Sequence, residues 1–281
     1  MTTNGTLLDE DFISFATDSN LKIVLSHDGF MHDEMRNFKN GGKTSELLTP
    51  VISILLRYQL KAVAMCTVTP HTVHKLSASV KWLYEQGFRR ISVAIDYRTN
   101  AGWSDETLEM LEQQYNEIGE FYIECFRNGD PLVFINFDNK IKGYIEGDNY
   151  CGEKCFLGKK QPFIGANGKI YPCIQFSNIA EYEMGNVFNG IDINKQDKIF
   201  RQSIKPVESC EGCAIADRCR HNCACLNYQL TGNMNTVSPL QCAHERILIP
   251  VADAVAAKLF SEGDNKFLSK YYKGIEISQD I

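Results

Sequence analysis

The stretch CEGCAIADRCRHNCAC, residues 210–225, packs five cysteines into sixteen residues. The chain has eleven cysteines, and nine of them lie between Cys151 and Cys242, with only Cys66 and Cys125 elsewhere. Thiols at this density either pair as disulfides or bind metal. Disulfide frameworks suit short secreted chains with an even count. This chain is 281 residues long, has an odd count, and opens on MTTNGTLLDED, which lacks the basic start and apolar centre of a signal peptide. The expected compartment is the cytoplasm, where thiols stay reduced, and the expected chemistry is metal ligation. Eight of the thiols fall into a pattern. Cys151 precedes Cys155 by four residues, and Cys155-x12-Gly168-x4-Cys173 follows. After a gap comes Cys210-x2-Cys213-x5-Cys219-x3-Cys223, and after a second gap Cys242. Eight thiolates make two sets of four, and both 4Fe–4S clusters and tetrahedral zinc take four thiolates. Cys225 is left over, as a structural thiol or a substitute ligand. His221 and His244 lie in the same region, but with eight thiolates available neither is expected to ligate. Cys66 and Cys125 are expected in the core.

Composition narrows the function classes. Hydrophobic residues make up 44% and charged residues 23%, as in an ordinary globular protein. A net charge of −6 gives no support to nucleic acid or an anionic membrane as partner. The longest apolar run, Val51 to Met65, is broken by Arg57 and Lys61, so no membrane span is expected.

These thiols need elements to carry them. In the first 126 residues, strand and helix alternate at intervals of roughly 30 residues, the spacing of parallel βα units. Strands are predicted at Leu21–Ser26, Leu60–Val68 and Arg90–Tyr97, and helices at Leu47–Tyr58 and Thr72–Gln86. A long helix follows Ser104, whose side chain caps it, with Asp105 and Glu106 favouring the helix dipole. Three units are too few to close a barrel, and TTNG reads as a turn leaving a strand. The edge along Leu21–Ser26 is therefore expected to be bare. After Arg127 the alternation stops. Pro131–Phe137 reads as a strand, Asn167-Gly168 as a hairpin turn, and Pro250 as the start of a packing helix, with a peripheral tail from Lys266. The expected division is 1–126, a partial (β/α) barrel; 127–149, a linker; 150–249, a cysteine-rich domain; and 250–281, a helix and tail.

The cysteine pattern resembles the seven-cysteine signature of the SPASM domain, the auxiliary-cluster module at the C-terminus of many radical S-adenosylmethionine (radical SAM) enzymes. The resemblance implies two 4Fe–4S clusters, one held by Cys151, Cys155, Cys173 and Cys223 and the other by Cys210, Cys213, Cys219 and Cys242. The front of the chain is similar to the same superfamily: TTNGTLLDE resembles the turn after the third barrel strand, and IVLSHDGFMHDEMR the fourth strand and its loop. The roles of binding the ribose and carboxylate of S-adenosylmethionine would then fall on Ser26 and Arg36, and a guanidinium fork suits a carboxylate. Asp28 and His32 in that loop read as turn residues.

Two departures shape the expected function. The CxxxCxxC triad that defines the superfamily is absent from these residues. The resemblance therefore implies an N-terminally truncated chain whose full-length parent uses S-adenosylmethionine as a radical SAM oxidoreductase. Ile174 follows Cys173, where sulfatase-maturing members carry an aspartate base, and isoleucine accepts no proton. That points the parent to peptide or protein maturation by thioether or carbon–carbon crosslinking, with an electron donor such as a flavodoxin or ferredoxin. The alternatives are a zinc-stabilised binding module and a catalytically inactive pseudo-enzyme.

Overall fold

The structure, a computed structural model, describes residues 1–147, 156–219 and 223–273. Cys151, Cys155 and His221 lie outside the described residues. The chain divides into two compact units, one of Met1–Asp96, Asn100–Ile145 and Ile247–Ile281, the other of Tyr97–Thr99 and Glu146–Arg246.

The first unit runs β1 (Thr2–Thr3), α1 (Glu10–Asp18), β2 (Val24–Ser26), α2 (His32–Met35), α3 (Ser45–Tyr58), β3 (Val63–Val68), α4 (Leu76–Glu85), β4 (Arg90–Ile95), α5 (Asp105–Arg127), β5 (Val133–Phe134) and α6 (Ile135–Glu146). The five strands lie side by side in chain order, and every neighbouring pair is parallel. Parallel strands laid down in chain order with none skipped are the arrangement of a (β/α) barrel wall. In β3, Ala64, Cys66 and Val68 are buried and their neighbours half-buried, the alternation of a strand between two packed layers. Cys66 and Cys125 sit in the core, as their apolar surroundings in sequence suggest. Ser104 and Thr107 form a reciprocal capping box that starts α5, and Leu111, Tyr115, Ile118, Tyr122 and Phe126 line its buried face.

Several boundaries differ from the sequence reading. β2 is not a bare edge: Thr2 and Thr3 pair with Val24 and Leu25, so the TTNG segment begins in a strand and the sheet's edge is two residues long. The strand expected at Pro131–Phe137 keeps only Val133 and Phe134. Beyond it the Asn136 side chain takes over, its Oδ1 accepting from Val93 N–H and its Nδ2 donating to Val93 O, both at 2.9 Å. The amide imitates one more strand residue while the backbone turns into α6.

The second unit holds a four-stranded antiparallel meander, β6 (Phe163–Ile164), β7 (Lys169–Tyr171), β8 (Gly185–Asn186) and β9 (Gly190–Ile191), followed by α7 (Ile193–Ser203) and α8 (Ala224–Thr231). The β6–β7 turn is at Asn167-Gly168, with Gly168 at φ +75°. Gly185 allows β8 and β9 to close, because a Cβ there would run into the Gly190 carbonyl oxygen. A small apolar core of Leu157, Ile170, Phe176, Tyr182, Met184 and Met234 supports the sheet.

α9 (Pro239–Ser261) starts eleven residues before the expected Pro250. Ser238 and Gln241 exchange capping hydrogen bonds, and Pro239 occupies the first position, where a missing N–H costs nothing. Pro250 is exposed inside the helix. The expected tail is instead α10 (Asn265–Tyr271), which buries Phe267 and Tyr271. The Tyr271 hydroxyl donates to Asp138 Oδ1 at 2.7 Å and meets the Tyr122 hydroxyl at 2.9 Å, and the Lys270 ammonium also bonds Asp138. Burial pushes both phenols well up and Lys270 down from its usual value. Removing the carboxylate strands a buried ammonium: Asp138→Ala should cost about 3–5 kcal/mol in urea unfolding. Asp138→Ala with Lys270→Met should recover part of that loss, and a double variant no better than the single one would show that the ion pair is not the cause.

Candidate metal centre and strand-end site

None of the described cysteines is in a disulfide. Two gatherings of thiols occur within the second unit. The first joins the end of the β6–β7 hairpin to the start of α8. Cys173 leaves β7 in extended conformation, and Cys223 and Cys225 flank the N-terminus of α8. The Cys223 and Cys225 sulfurs are 3.4 Å apart. The Cys225 thiol also reaches the Cys173 sulfur. This contact, with the backbone N–H groups of Gln175 and Ile174, pulls the Cys173 thiol down to about 6, whereas its neighbours push Cys225 well up. A hydrogen-bonded thiol that ionises easily is suited to metal, since thiolate is the ligating form.

The second gathering lies on the loop before α8 and the first turns of α9. The Cys213 N–H closes a turn on Cys210 O at 3.2 Å, with Gly212 at φ +69° between them. Burial, followed by the nearness of Cys210 and Cys213, raises the Cys242 thiol above its usual value. Arg246 Nη2 lies 3.7 Å from the Cys213 sulfur. Cys219 ends the same run of turns, its N–H bonding Ile215 O at 2.6 Å. The sequence-predicted ligands Cys173 and Cys223 thus both lie beside Cys225, and Cys242 lies within electrostatic range of Cys210 and Cys213. Among the described residues, no three His, Cys, Asp or Glu side chains meet where a single metal ion could sit. His244 is buried, with its Nδ1 2.6 Å from the Tyr97 hydroxyl.

The strand-end site is in the first unit. Ser26 ends β2, half-buried beside Met65 of β3. Arg36 follows α2, its side chain 31% exposed. Its Nε donates to Asp28 Oδ2 at 2.6 Å, and Nη2 donates to Asp28 Oδ1 at 3.3 Å and to Thr67 Oγ1 at 3.2 Å. Asp28 also accepts the Thr67 N–H at 2.7 Å. Asp28 does open the turn at Gly29–Met31, its carbonyl accepting Met31 N–H at 3.3 Å, but its side chain does more: the residue is 2% exposed and ties the β2 loop, β3 and the guanidinium together. Among the described residues Nη1 of Arg36 makes no hydrogen bond, which leaves one edge of the fork for a ligand. Sequence reading missed this role because Asp-Gly is a turn signal in its own right, and nothing local marks the eight-residue span to Arg36.

His32 is likewise buried. Its Nδ1 accepts from Asp28 N–H, so the ring proton is on Nε2, which donates to Thr44 Oγ1 at 3.0 Å. His27 stacks between His32 and Trp82, with ring centroids at 3.9 and 5.0 Å. Its Nδ1 accepts from Gly29 N–H, and its Nε2 is buried without a partner. Burial, then the neighbouring His32 and Arg36, push His27 down to about 3, and burial lowers His32 as well. Both rings are neutral in the fold but protonate near 6.5 when unfolded, so acid favours the unfolded chain. Stability should be unaffected by these groups above about pH 6.5 and fall as the pH drops from there toward about 3. Urea midpoints at about pH 7.5 and about pH 5 test this. His27→Phe should shrink the difference between them, and an unchanged difference would discount the histidine.

Three comparisons bear on this arrangement. The family model of the SPASM iron–sulfur cluster-binding domain matches residues 155–214. The cysteine-type anaerobic sulfatase-maturating enzyme of Clostridium perfringens is 23% identical over 237 residues, which is 79% of this chain and 63% of that enzyme. That of Clostridium novyi is 23% identical over 240 residues, 79% of this chain and 62% of that enzyme. The chain thus spans less than two thirds of these relatives' length. Among solved structures, hexahistidine-tagged anSMEcpe with bound AdoMet superposes with a TM-score of 0.77 at 18% identity, covering 97% of this chain and 74% of that one. Native anSMEcpe with AdoMet and the Kp18Cys peptide gives 0.73 at 20%, covering 90% and 75%. Sequence and fold point the same way: residues 155–214 match the SPASM iron–sulfur cluster-binding domain, and the chain is similar in sequence to anaerobic sulfatase-maturating enzymes and in fold to anSMEcpe.

Proposed function

We propose that this chain is the barrel-wall and auxiliary-cluster portion of a radical SAM maturase acting on a peptide or protein. Two 4Fe–4S clusters would be held by Cys151, Cys155, Cys173 and Cys223, and by Cys210, Cys213, Cys219 and Cys242. The observation that carries this is the sorting of the thiols. Cys173 and Cys223 both lie beside Cys225, and Cys242 lies near enough to Cys210 and Cys213 for their charges to raise its thiol, which supports the interleaved ligand sets. The donors fit the group, since four thiolates are the ordinary ligands of such a cage. Once bound, these clusters would supply one-electron transfer or a binding point for substrate.

The chain's own residues would do the rest. Ser26 and Arg36, at the C-terminal ends of the parallel strands where barrel sites are built, would bind the ribose and carboxylate of S-adenosylmethionine. Asp28 and Thr67 hold the guanidinium so that its unused edge stays fixed. The 281 residues contain no CxxxCxxC, so the role proposed for them is binding and electron transfer. A peptide substrate is supported by the solved relative that holds the Kp18Cys peptide. Ile174, 61% exposed beside Cys173, offers no base there, which favours crosslinking over sulfatase maturation. A flavodoxin or ferredoxin is the class of electron donor such clusters use, and the proposed compartment is the cytoplasm, where thiols stay reduced; no described helix is long and apolar enough to cross a membrane.

Protein purified without oxygen should be brown, with broad absorbance near ~400 nm and about eight irons and eight sulfides per chain. Cys242→Ala should lose about half of both. Colourless protein with about two zincs per chain would instead establish a zinc-stabilised binding module. In calorimetric titrations with S-adenosylmethionine, Arg36→Gln should weaken binding at least about tenfold, or ~1.4 kcal/mol. Equal affinity in the variant would remove Arg36 from the site.

A further inference from the structure

Cys225 belongs to neither proposed ligand set, yet it stands between two members of one of them. Its sulfur lies 3.4 Å from that of Cys223, and its thiol is within hydrogen-bonding reach of the Cys173 sulfur. The residue is 3% exposed and packs in the apolar core with Leu157, Phe176, Met184 and Met234. Helix geometry explains the placement. Cys223 is the N-cap residue of α8 and Cys225 lies in its first turn, so both sulfurs emerge at the same helix end, toward which the hairpin brings Cys173. An ordinary packing cysteine would have carbons around its sulfur. This one has two sulfurs.

With Cys151, Cys155, Cys173 and Cys223 filling four ligand positions, a fifth thiol has no iron to bind. What it retains is an S–H donor. A hydrogen bond to a ligating sulfur withdraws electron density from it and favours the reduced, more negative cluster. We propose that Cys225 is a positioning residue that donates its single S–H hydrogen bond to a ligating sulfur, that of Cys223 or Cys173, and raises the reduction potential of the cluster they hold. This inference rests on the iron–sulfur reading above. It assigns Cys225 a role that the eight-ligand signature does not contain.

The test uses the full chain, prepared without oxygen and reconstituted with iron and sulfide, as wild type, Cys225→Ala and Cys225→Ser. Iron and sulfide are counted, and both clusters are titrated by electron paramagnetic resonance at controlled potential. The alanine variant should keep the wild-type iron and sulfide while one of the two midpoint potentials moves to a more negative value. The serine variant, which keeps a donor, should hold that potential close to wild type. Loss of about half the iron in either variant would overturn the proposal by making Cys225 a ligand, and should alanine fail to fold, the serine variant still decides this point. Full iron with an unmoved potential in the alanine variant would overturn it by making Cys225 a bystander. Wild-type protein that takes up no iron would defeat the iron–sulfur reading itself, a result distinct from either.

Discussion

Thiols from segments fifty residues apart lie side by side in the second unit, where Cys225 touches Cys223 and sits beside Cys173, and the small elements around them are arranged about that meeting. Its four strands are two or three residues each, too short to be stable alone, and its apolar core is small. Such a module gains stability by anchoring its loops at their ends. Cys225, touching Cys223 and beside Cys173, joins the hairpin end to α8, and Cys242 at the start of α9 lies within electrostatic range of Cys210 and Cys213. Metal binding to such a site would couple directly to folding, because the site does not exist in the unfolded chain.

The first unit solves a different problem. It must present polar groups at the ends of parallel strands whose sides are buried. Asp28 does this by accepting from Arg36 and from the backbone of Thr67, so one carboxylate fixes both the guanidinium and the neighbouring strand. Behind the loop, the His27–His32–Trp82 stack packs neutral rings where a charge would be costly. The unsatisfied Nε2 of His27 is a cost carried by that packing.

Much of this was legible in the sequence. The parallel βα alternation, the Ser104 cap, the Asn167-Gly168 turn and the burial of Cys66 and Cys125 are all local signals, and the structure has them where they were expected. The misses share a cause. α6 replaces most of an expected strand because a single side chain, Asn136, imitates a strand partner, and no local pattern announces that. Pro250 was read as a helix start by a rule for isolated helices, but Ser238 and Gln241 had already capped this one. The C-terminal residues look peripheral until Asp138, Tyr122 and Tyr271 are seen to converge.

By itself, then, the sequence determined the fold class and the chemical type of the site, because both depend on residue identity and on spacing along the chain: period, caps, turns and intervals between cysteines. Only the tertiary structure decided which groups act together. That Asp28 grips Arg36, that Thr2 and Thr3 cover the sheet edge, and that Cys225 stands between Cys173 and Cys223 are results of distance in space. Hydrogen bonds and sulfur contacts act over about 3–4 Å, and only the folded chain brings residues fifty apart within that range.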